Sequence, residues 1–83
     1  MYKINIIPSA RKDLDGLDKK FFIQIKNKII SLTSNPRPSG CLKLTAGEGY
    51  RIRSGDYRIL YRADDKNKII YIYKIKHRKE SYR

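Results

Sequence analysis

The sequence predicts an α+β domain in the order β-α-α-β-β-β-β, an antiparallel sheet with an N-terminal helical hairpin packed on one face. Three observations lead there. A short run of alternating apolar and polar residues opens the chain, apolar residues recur at helical spacing between residues 10 and 33, and from residue 42 the period falls to two. With 83 residues the chain has room for one domain, 1–83. A domain of this size buries about 60–65% of its unfolded surface in a single thin core, with a radius of gyration of roughly 12 Å.

Residues 2–7, YKINII, alternate Tyr2, Ile4 and Ile6 against Lys3 and Asn5, a strand pattern. Pro8 ends it, and Ser9 is a suitable N-cap for a helix carrying Ala10, Leu14 and Leu17 on one side and Arg11, Lys12, Asp13 and Asp15 on the other. Gly16 weakens this helix or closes it. Asp18 then caps a second helix, about 19–33, in which Phe22, Ile25, Ile29 and Leu32 form an apolar stripe widened by Phe21 and Ile30. Asn35, Pro36, Pro38 and Gly40 stop it. The short connection between the two helices predicts an antiparallel hairpin.

Four strands follow. Leu42 and Leu44 belong to a short one, and Gly47-Glu48-Gly49 turns the chain. In the next strand Tyr50 and Ile52 face one way, Arg51 and Arg53 the other. Gly55-Asp56 is a tight hairpin turn, and Tyr57–Arg62 splits Tyr57, Ile59 and Tyr61 from Arg58, Leu60 and Arg62. Asp64–Asn67 turns once more into Ile69–Ile75, apolar on both faces and expected to be the most central strand. Residues 76–83 read as a charged tail.

Lys+Arg total 20 and Asp+Glu 8, a net charge of +12. Ile, Lys, Asn and Tyr make up 36 of the 83 residues, as A/T-rich codons would give, so arginine is the cleaner signal; six of the eight arginines follow residue 50. A balance this basic points to a polyanion: nucleic acid, a membrane surface or an acidic protein. An apolar content of 40% argues against wholesale disorder. The longest apolar run, Ile69 to Tyr73, is far too short to span a membrane, and MYKINIIPSARK lacks a signal peptide's apolar stretch. One cysteine, Cys41, excludes an internal disulfide, and with the single His77 it leaves too few ligands for a zinc cluster. The expected setting is cytoplasmic, with no membrane partner, no metal and no cofactor.

The chemistry-bearing residues lie in the second half. Alternation puts Arg51 and Arg53 on one sheet face, and a hairpin at Gly55-Asp56 brings Arg58 to that face if the register allows. Converging guanidiniums match phosphate oxygens, which each can bind through two hydrogen bonds. Solvent-facing strand arginines are equally ordinary. In the tail, His77 is the one histidine, a residue type suited to proton transfer, and Tyr82 could stack on a base; a solvated histidine and a packing tyrosine are the plainer readings. Cys41 would need a base beside it to act as a nucleophile, and Gly47-Glu48-Gly49 lacks the lysine and helix of a phosphate loop. Glu48, Asp56 and Glu80 are possible acid–base groups in turns or the tail.

Tyr50–Tyr61, YRIRSGDYRILY, and the closing I-x-H-R-K-x-x-Y of Ile75–Tyr82 resemble the C-terminal half of RelE/ParE-superfamily toxins of type II toxin–antitoxin systems. The first half agrees, with an opening strand, an A-x-x-D-L-x-x-L helix from Ala10 to Leu17, and a long helix ending in L-x-x-N-P-x-P. The RelE-like branch consists of ribosome-dependent ribonucleases that cut mRNA in the decoding site. The ParE-like branch shares the fold, poisons DNA gyrase and lacks the nuclease residues. What the resemblance implies for the RelE-like branch is a working face of Arg51, Arg53, Arg58, Arg78 and Tyr82, an acidic RelB-like antitoxin as partner, and mRNA and the ribosome as targets. Retention of Arg58, Arg78 and Tyr82 together favours this branch over the ParE-like one, and a basic nucleic-acid-binding module outside the toxin class is the third reading. The implied reaction is metal-free. The RNA 2′-OH attacks the adjacent phosphorus, the 5′-oxygen leaves, and a 2′,3′-cyclic phosphate remains.

Overall fold

In a computed structural model, which describes residues 1–44 and 49–79, the chain runs β1 (Lys3–Ile6), α1 (Pro8–Asp15), α2 (Lys19–Ser31), β2 (Leu42–Lys43), β3 (Tyr50–Ser54), β4 (Tyr57–Asp64) and β5 (Ile69–His77). The α+β order is as the sequence predicts. The five strands form one sheet in the order β1-β5-β4-β3-β2. Three of the neighbouring pairs are antiparallel, but β1 pairs with β5 in parallel, Lys3 opposite Ile69 and Ile6 opposite Ile72. Parallel neighbours need a long crossover, and here everything between β1 and β5 supplies it. The middle strand is therefore β4, and β5, expected there, sits one place over between β4 and β1.

The helix boundaries depart from expectation for local reasons. Helix α1 begins at Pro8, with Ile7 in the N-cap position and no side-chain cap. Proline has its φ fixed near the helical value and no N–H to satisfy, so a capping side chain is less needed. Ser9, expected as the cap, instead donates its hydroxyl to the Tyr73 carbonyl at 3.4 Å. Asp18 does occupy the N-cap of α2, though its side chain makes no capping bond. Helix α2 gives way after Ser31 because Leu32 and Thr33 bond to carbonyls three residues back, at 3.0 Å each, in a tightened last turn.

The core is one layer between the helices and one sheet face. Ala10 and Leu14 of α1, Ile25 and Ile29 of α2, and Leu32 just beyond it meet Ile52, Ile59, Tyr61, Ile70, Ile72 and Ile75. Each fully buried large side chain among them contributes about 1.5–3 kcal/mol. Phe22 packs at the rim of this cluster, whereas Ile30, read as part of the stripe, is half exposed at 50%. The radius of gyration is 11.9 Å.

A β-bulge corrects the phase of β5. Leu60 pairs with Lys74 but Tyr61 pairs with Ile72, so Tyr73 is an extra residue on β5. Simple alternation from Ile70 and Ile72 would turn Lys74 into the core. The bulge brings Ile75 inward instead, at 4% exposure. Past Ile72, β5 has no β1 partner, and α1 covers that edge: the Asp13 carboxylate accepts the Ile75 N–H at 3.2 Å and pairs with Lys74 at 3.4 Å. The strand also runs two residues beyond expectation, so Lys76 and His77 belong to the sheet rather than the tail.

Helix α2 connects to β2 through a segment held by the sheet. Buried Tyr61 donates its hydroxyl to the Pro36 carbonyl at 2.7 Å and stacks on Tyr50. Arg37 reaches the Tyr50 hydroxyl at 3.0 Å and Asp65 at 2.6 Å, and Tyr2 donates to the same carboxylate at 2.6 Å. Burial raises the Tyr61 pKa, keeping the phenol protonated as donor. Gly49, at φ +113°, opens β3 where a Cβ would run into the Tyr61 carbonyl.

Two expected outcomes follow from these contacts. Tyr61→Phe leaves the Pro36 carbonyl without its donor and should cost about 1–3 kcal/mol in denaturant unfolding; an unchanged midpoint would count against the anchoring role. The donors from Arg37 and Tyr2 hold the Asp65 carboxyl below its ordinary range. A depressed folded-state value gives stability that is present above the unfolded pKa, about 3.9, and is lost as pH falls through the folded one. Asp65→Asn should flatten that acid limb of the stability–pH curve, and a limb of unchanged slope would show that the pair adds nothing.

Candidate functional site

The sheet face away from the helices is where the sequence puts its arginines. The Gly55-Asp56 turn, with positive φ at Gly55 only, is the two-residue type II′ arrangement, whose twist matches that of the strands it joins. It fixes Ser54 opposite Tyr57 and therefore Arg53 opposite Arg58. Across β4, Arg58 is opposite Lys76. One row of the face thus reads Arg53-Arg58-Lys76, and the next reads Leu42-Arg51-Leu60-Lys74. Along β3 and β4 the residues of these rows alternate with ones of the core face, as with Ile52 between Arg51 and Arg53 and Ile59 between Arg58 and Leu60.

Arg51, Arg53 and Arg58 line a cleft of about 350 Å³ with Gly40, Leu42 and Ile52. No carboxylate is among those side chains. Leu42, 53% exposed on the edge strand, gives the cleft an apolar lip. Arg78 arrives at the same end of the sheet, since its N–H donates to the Asp56 carbonyl at 2.6 Å and its guanidinium lies 4.0 Å from the Asp56 carboxylate. The structure therefore brings Arg51, Arg53 and Arg58 together and sets Arg78 beside the hairpin that carries Arg58. Tyr82, Glu80, Gly47 and Glu48 lie outside the described residues.

His77 is oriented differently. Opposite Tyr57, it meets that ring edge-on at 5.1 Å, and Tyr57 packs on Phe21 of α2 at 5.5 Å. Its Nδ1 accepts the Lys79 N–H at 3.2 Å. His77 thus belongs to the helix side of the sheet, across from the arginines. Cys41 is half-buried beside the Tyr61 hydroxyl. Lys76 lies beyond the strand expected at Ile69–Ile75, and alternation from Ile70 and Ile72 turns Lys74 to the core face, so sequence reasoning misses both. The alternation Tyr73-Lys74-Ile75-Lys76 is the signal that would have found them.

A single sheet backed by two helices, with its other face lined by arginines, is the architecture of the RelE/ParE toxin superfamily. The profile of the family described as the ParE toxin of type II toxin–antitoxin system, parDE, matches residues 4–82, and the chain belongs to that family. Among solved structures it is similar to a chain of the RelBE2 toxin–antitoxin complex from Mycobacterium tuberculosis, with 28% identity and a TM-score of 0.82, covering 93% of this chain and 98% of that one. A chain of the archaeal RelE–RelB complex from Pyrococcus horikoshii OT3 matches at 31% identity and TM-score 0.79, over 93% and 94% of the two chains. The YoeB dimer from Staphylococcus aureus matches at 27% identity and TM-score 0.74, over 92% and 95%. These solved structures are of RelE and YoeB toxins. No curated protein sequence matches significantly.

The row geometry has a stability consequence. Arg53 and Arg58 are like charges directly opposite across antiparallel strands, an arrangement that destabilises a sheet. Arg53→Gln should therefore raise the unfolding free energy by about 0.2–1 kcal/mol at low salt, with the gain shrinking as salt screens the pair. A loss of stability that is independent of salt would refute this account.

Proposed function

We propose that this toxin is a ribosome-dependent mRNA endoribonuclease that works without a metal and inhibits translation until an acidic RelB-like antitoxin neutralises it. The observation that carries the reading is the convergence of Arg51, Arg53 and Arg58 on one cleft that no carboxylate lines among the described residues. In this reading the substrate is mRNA in the decoding site of the ribosome. The 2′-oxygen bonds to phosphorus as the bond to the 5′-oxygen breaks. The nucleophile loses a proton and the leaving oxygen gains one. Arg53 and Arg58 stabilise charge developing on the non-bridging oxygens, an effect typically worth about 3–4 kcal/mol per donor. Arg51 binds the flanking phosphate. Arg78 serves the leaving oxygen, and Tyr82 orients the nucleophile or a base. Arginine keeps its proton throughout the working pH range, so positioning of the RNA by the ribosome carries much of the rate.

Partners follow from charge and from the relatives. The M. tuberculosis and P. horikoshii structures are toxin–antitoxin complexes. A domain of net charge +12 favours an acidic antitoxin whose amphipathic helix supplies apolar contacts as well as charge. None of the helices among the described residues is long and apolar enough to cross a membrane. We take the cytoplasm, where ribosomes are, as the site of action.

A second reading has its own support, because the matching family carries the ParE name. In it the chain poisons DNA gyrase and does not cut RNA. Primer extension on a translated reporter mRNA after induction separates the two. Cuts within codons, ending in cyclic phosphates, are expected here; DNA breaks with intact mRNA would replace this reading by the gyrase one. Arg58→Ala and Arg78→Ala should each slow cleavage by roughly a hundredfold, about 2.7 kcal/mol, while circular dichroism and antitoxin binding stay unchanged. Full activity in either variant would remove that residue from the mechanism. The association rate with the antitoxin should fall as salt is added, and a rate independent of salt would contradict an electrostatically steered encounter.

A further inference from the structure

A second groove adjoins the arginine cleft around the edge of the sheet. Strand β2 pairs only with Tyr50 and Arg51, so β3 has no strand partner on that side from Ile52 onward. Alternation in the β3–β4 ladder points the Arg53 N–H and C=O away from β4, toward this uncovered side. Beyond it lies the polar side of α2. Gln24, Asn27, Lys28 and Ser31 face Arg53 and Ser54 across a space of about 460 Å³. Arg53 lines both this groove and the cleft, so the two adjoin at that residue.

We infer that the groove between α2 and the β3–β4 hairpin is a nucleotide subsite, which receives the RNA residue next to the scissile phosphate. The inference rests on the endoribonuclease reading and extends it to the path of the strand. Its chemistry suits a nucleotide and not a bare anion. Lys28 brings a cation to a groove with no lining carboxylate among the described residues, and Arg53 stands where the groove meets the cleft. Two carboxamides and two hydroxyls offer donors and acceptors together, as recognition of the edge of an unstacked base requires. Lys28 holds the phosphate and Asn27 reads the base. Gln24 has a supporting part, because its amide lies against the turn, where a Cβ added at Gly55 would sit 3.1 Å from Nε2. The rest of α2 provides a control. Lys26 is exposed on the same helix and does not line the groove.

The test uses the full-length toxin and a fluorescent single-stranded 2′-O-methyl oligonucleotide, which cannot be cleaved through its 2′ position. Anisotropy gives its affinity across a range of salt. Lys28→Ala should weaken binding about five- to tenfold and lower the salt slope by about 0.7, the value for one phosphate contact on a single strand. Asn27→Ala should leave the slope alone and reduce discrimination among oligonucleotides of different base composition. Lys26→Ala should change neither quantity. Alanine is a strong helix former, and Lys26 and Asn27 are exposed and Lys28 half-buried, so the helix should persist, as melting curves would show. Equal losses from Lys26→Ala and Lys28→Ala would overturn the subsite in favour of diffuse charge, as would variants that bind RNA normally but lose antitoxin. Cleavage by the unaltered toxin on translating ribosomes is the separate readout of the parent reading. If it cleaves and both variants bind and cut as it does, the subsite falls alone. If it does not cleave, the nuclease reading falls, and oligonucleotide affinity still decides whether the groove holds a nucleotide.

Discussion

The register of the β3–β4 ladder is the constraint on which the rest of this molecule depends. A turn of two residues, Gly55-Asp56, leaves no freedom to slide, and a slip of one residue would exchange the faces of every paired side chain. Tyr57, Ile59 and Tyr61 would go to solvent, and Arg58 and Arg62 into the core. With so thin a core, losing Ile59 and Tyr61 alone would remove two of its largest fully buried side chains. The same register sets Arg53 against Arg58, so the pairing that protects the core also builds the cationic row. It further aims the Tyr61 hydroxyl at Pro36, tying the segment before β2 to the central strand.

Strand β5 meets a harder problem, because it has two kinds of neighbour. Along Ile69–Ile72 it lies between β1 and β4, and along its second half it has β4 on one side and α1 on the other. The bulge at Tyr73 lies at the change. It keeps isoleucines inward in both halves, and beyond it Lys74 and Lys76 fall on the arginine face. Helix α1 then does what a sixth strand would have done, with Asp13 and Ser9 meeting backbone groups of the bare edge. Covering an edge in this way also removes a template for unwanted strand pairing.

How much of this was legible in the sequence differs from place to place. The elements were legible because each depends on short-range pattern: Ile25, Ile29 and Leu32 at helical spacing, or Arg51 and Arg53 alternating with Ile52. The convergence of Arg51, Arg53 and Arg58 was legible too, because a two-residue turn leaves a single register. The parallel β1–β5 pair was not, since strand partners far apart in sequence leave no local trace. The phase change at Tyr73 was equally hidden, and with it the membership of Lys76 and His77 in the sheet. Assigning His77 to the tail left its side open, whereas the strand puts it against Tyr57 and away from the arginines. Ile30 misled for the opposite reason, being apolar and well spaced yet beyond the reach of a one-layer core.

The cationic face itself has a physical logic that joins fold and reading. A sheet with helices on only one side must keep its other face wet, and strand residues there are free of packing demands. Arginine can occupy such positions with its stem on the sheet and its head in water. Arg53 stands directly against Arg58, with Lys76 beyond, and on the endoribonuclease reading a phosphate would meet this row of like charges. The charge does not vary near neutrality, because guanidinium groups hold their protons. On the endoribonuclease reading the face therefore offers constant electrostatic stabilisation, and proton transfer falls to other groups. On that reading the strands stay rigid under the phosphate, while proton transfer falls to the segment after Arg78 and to the ribosome.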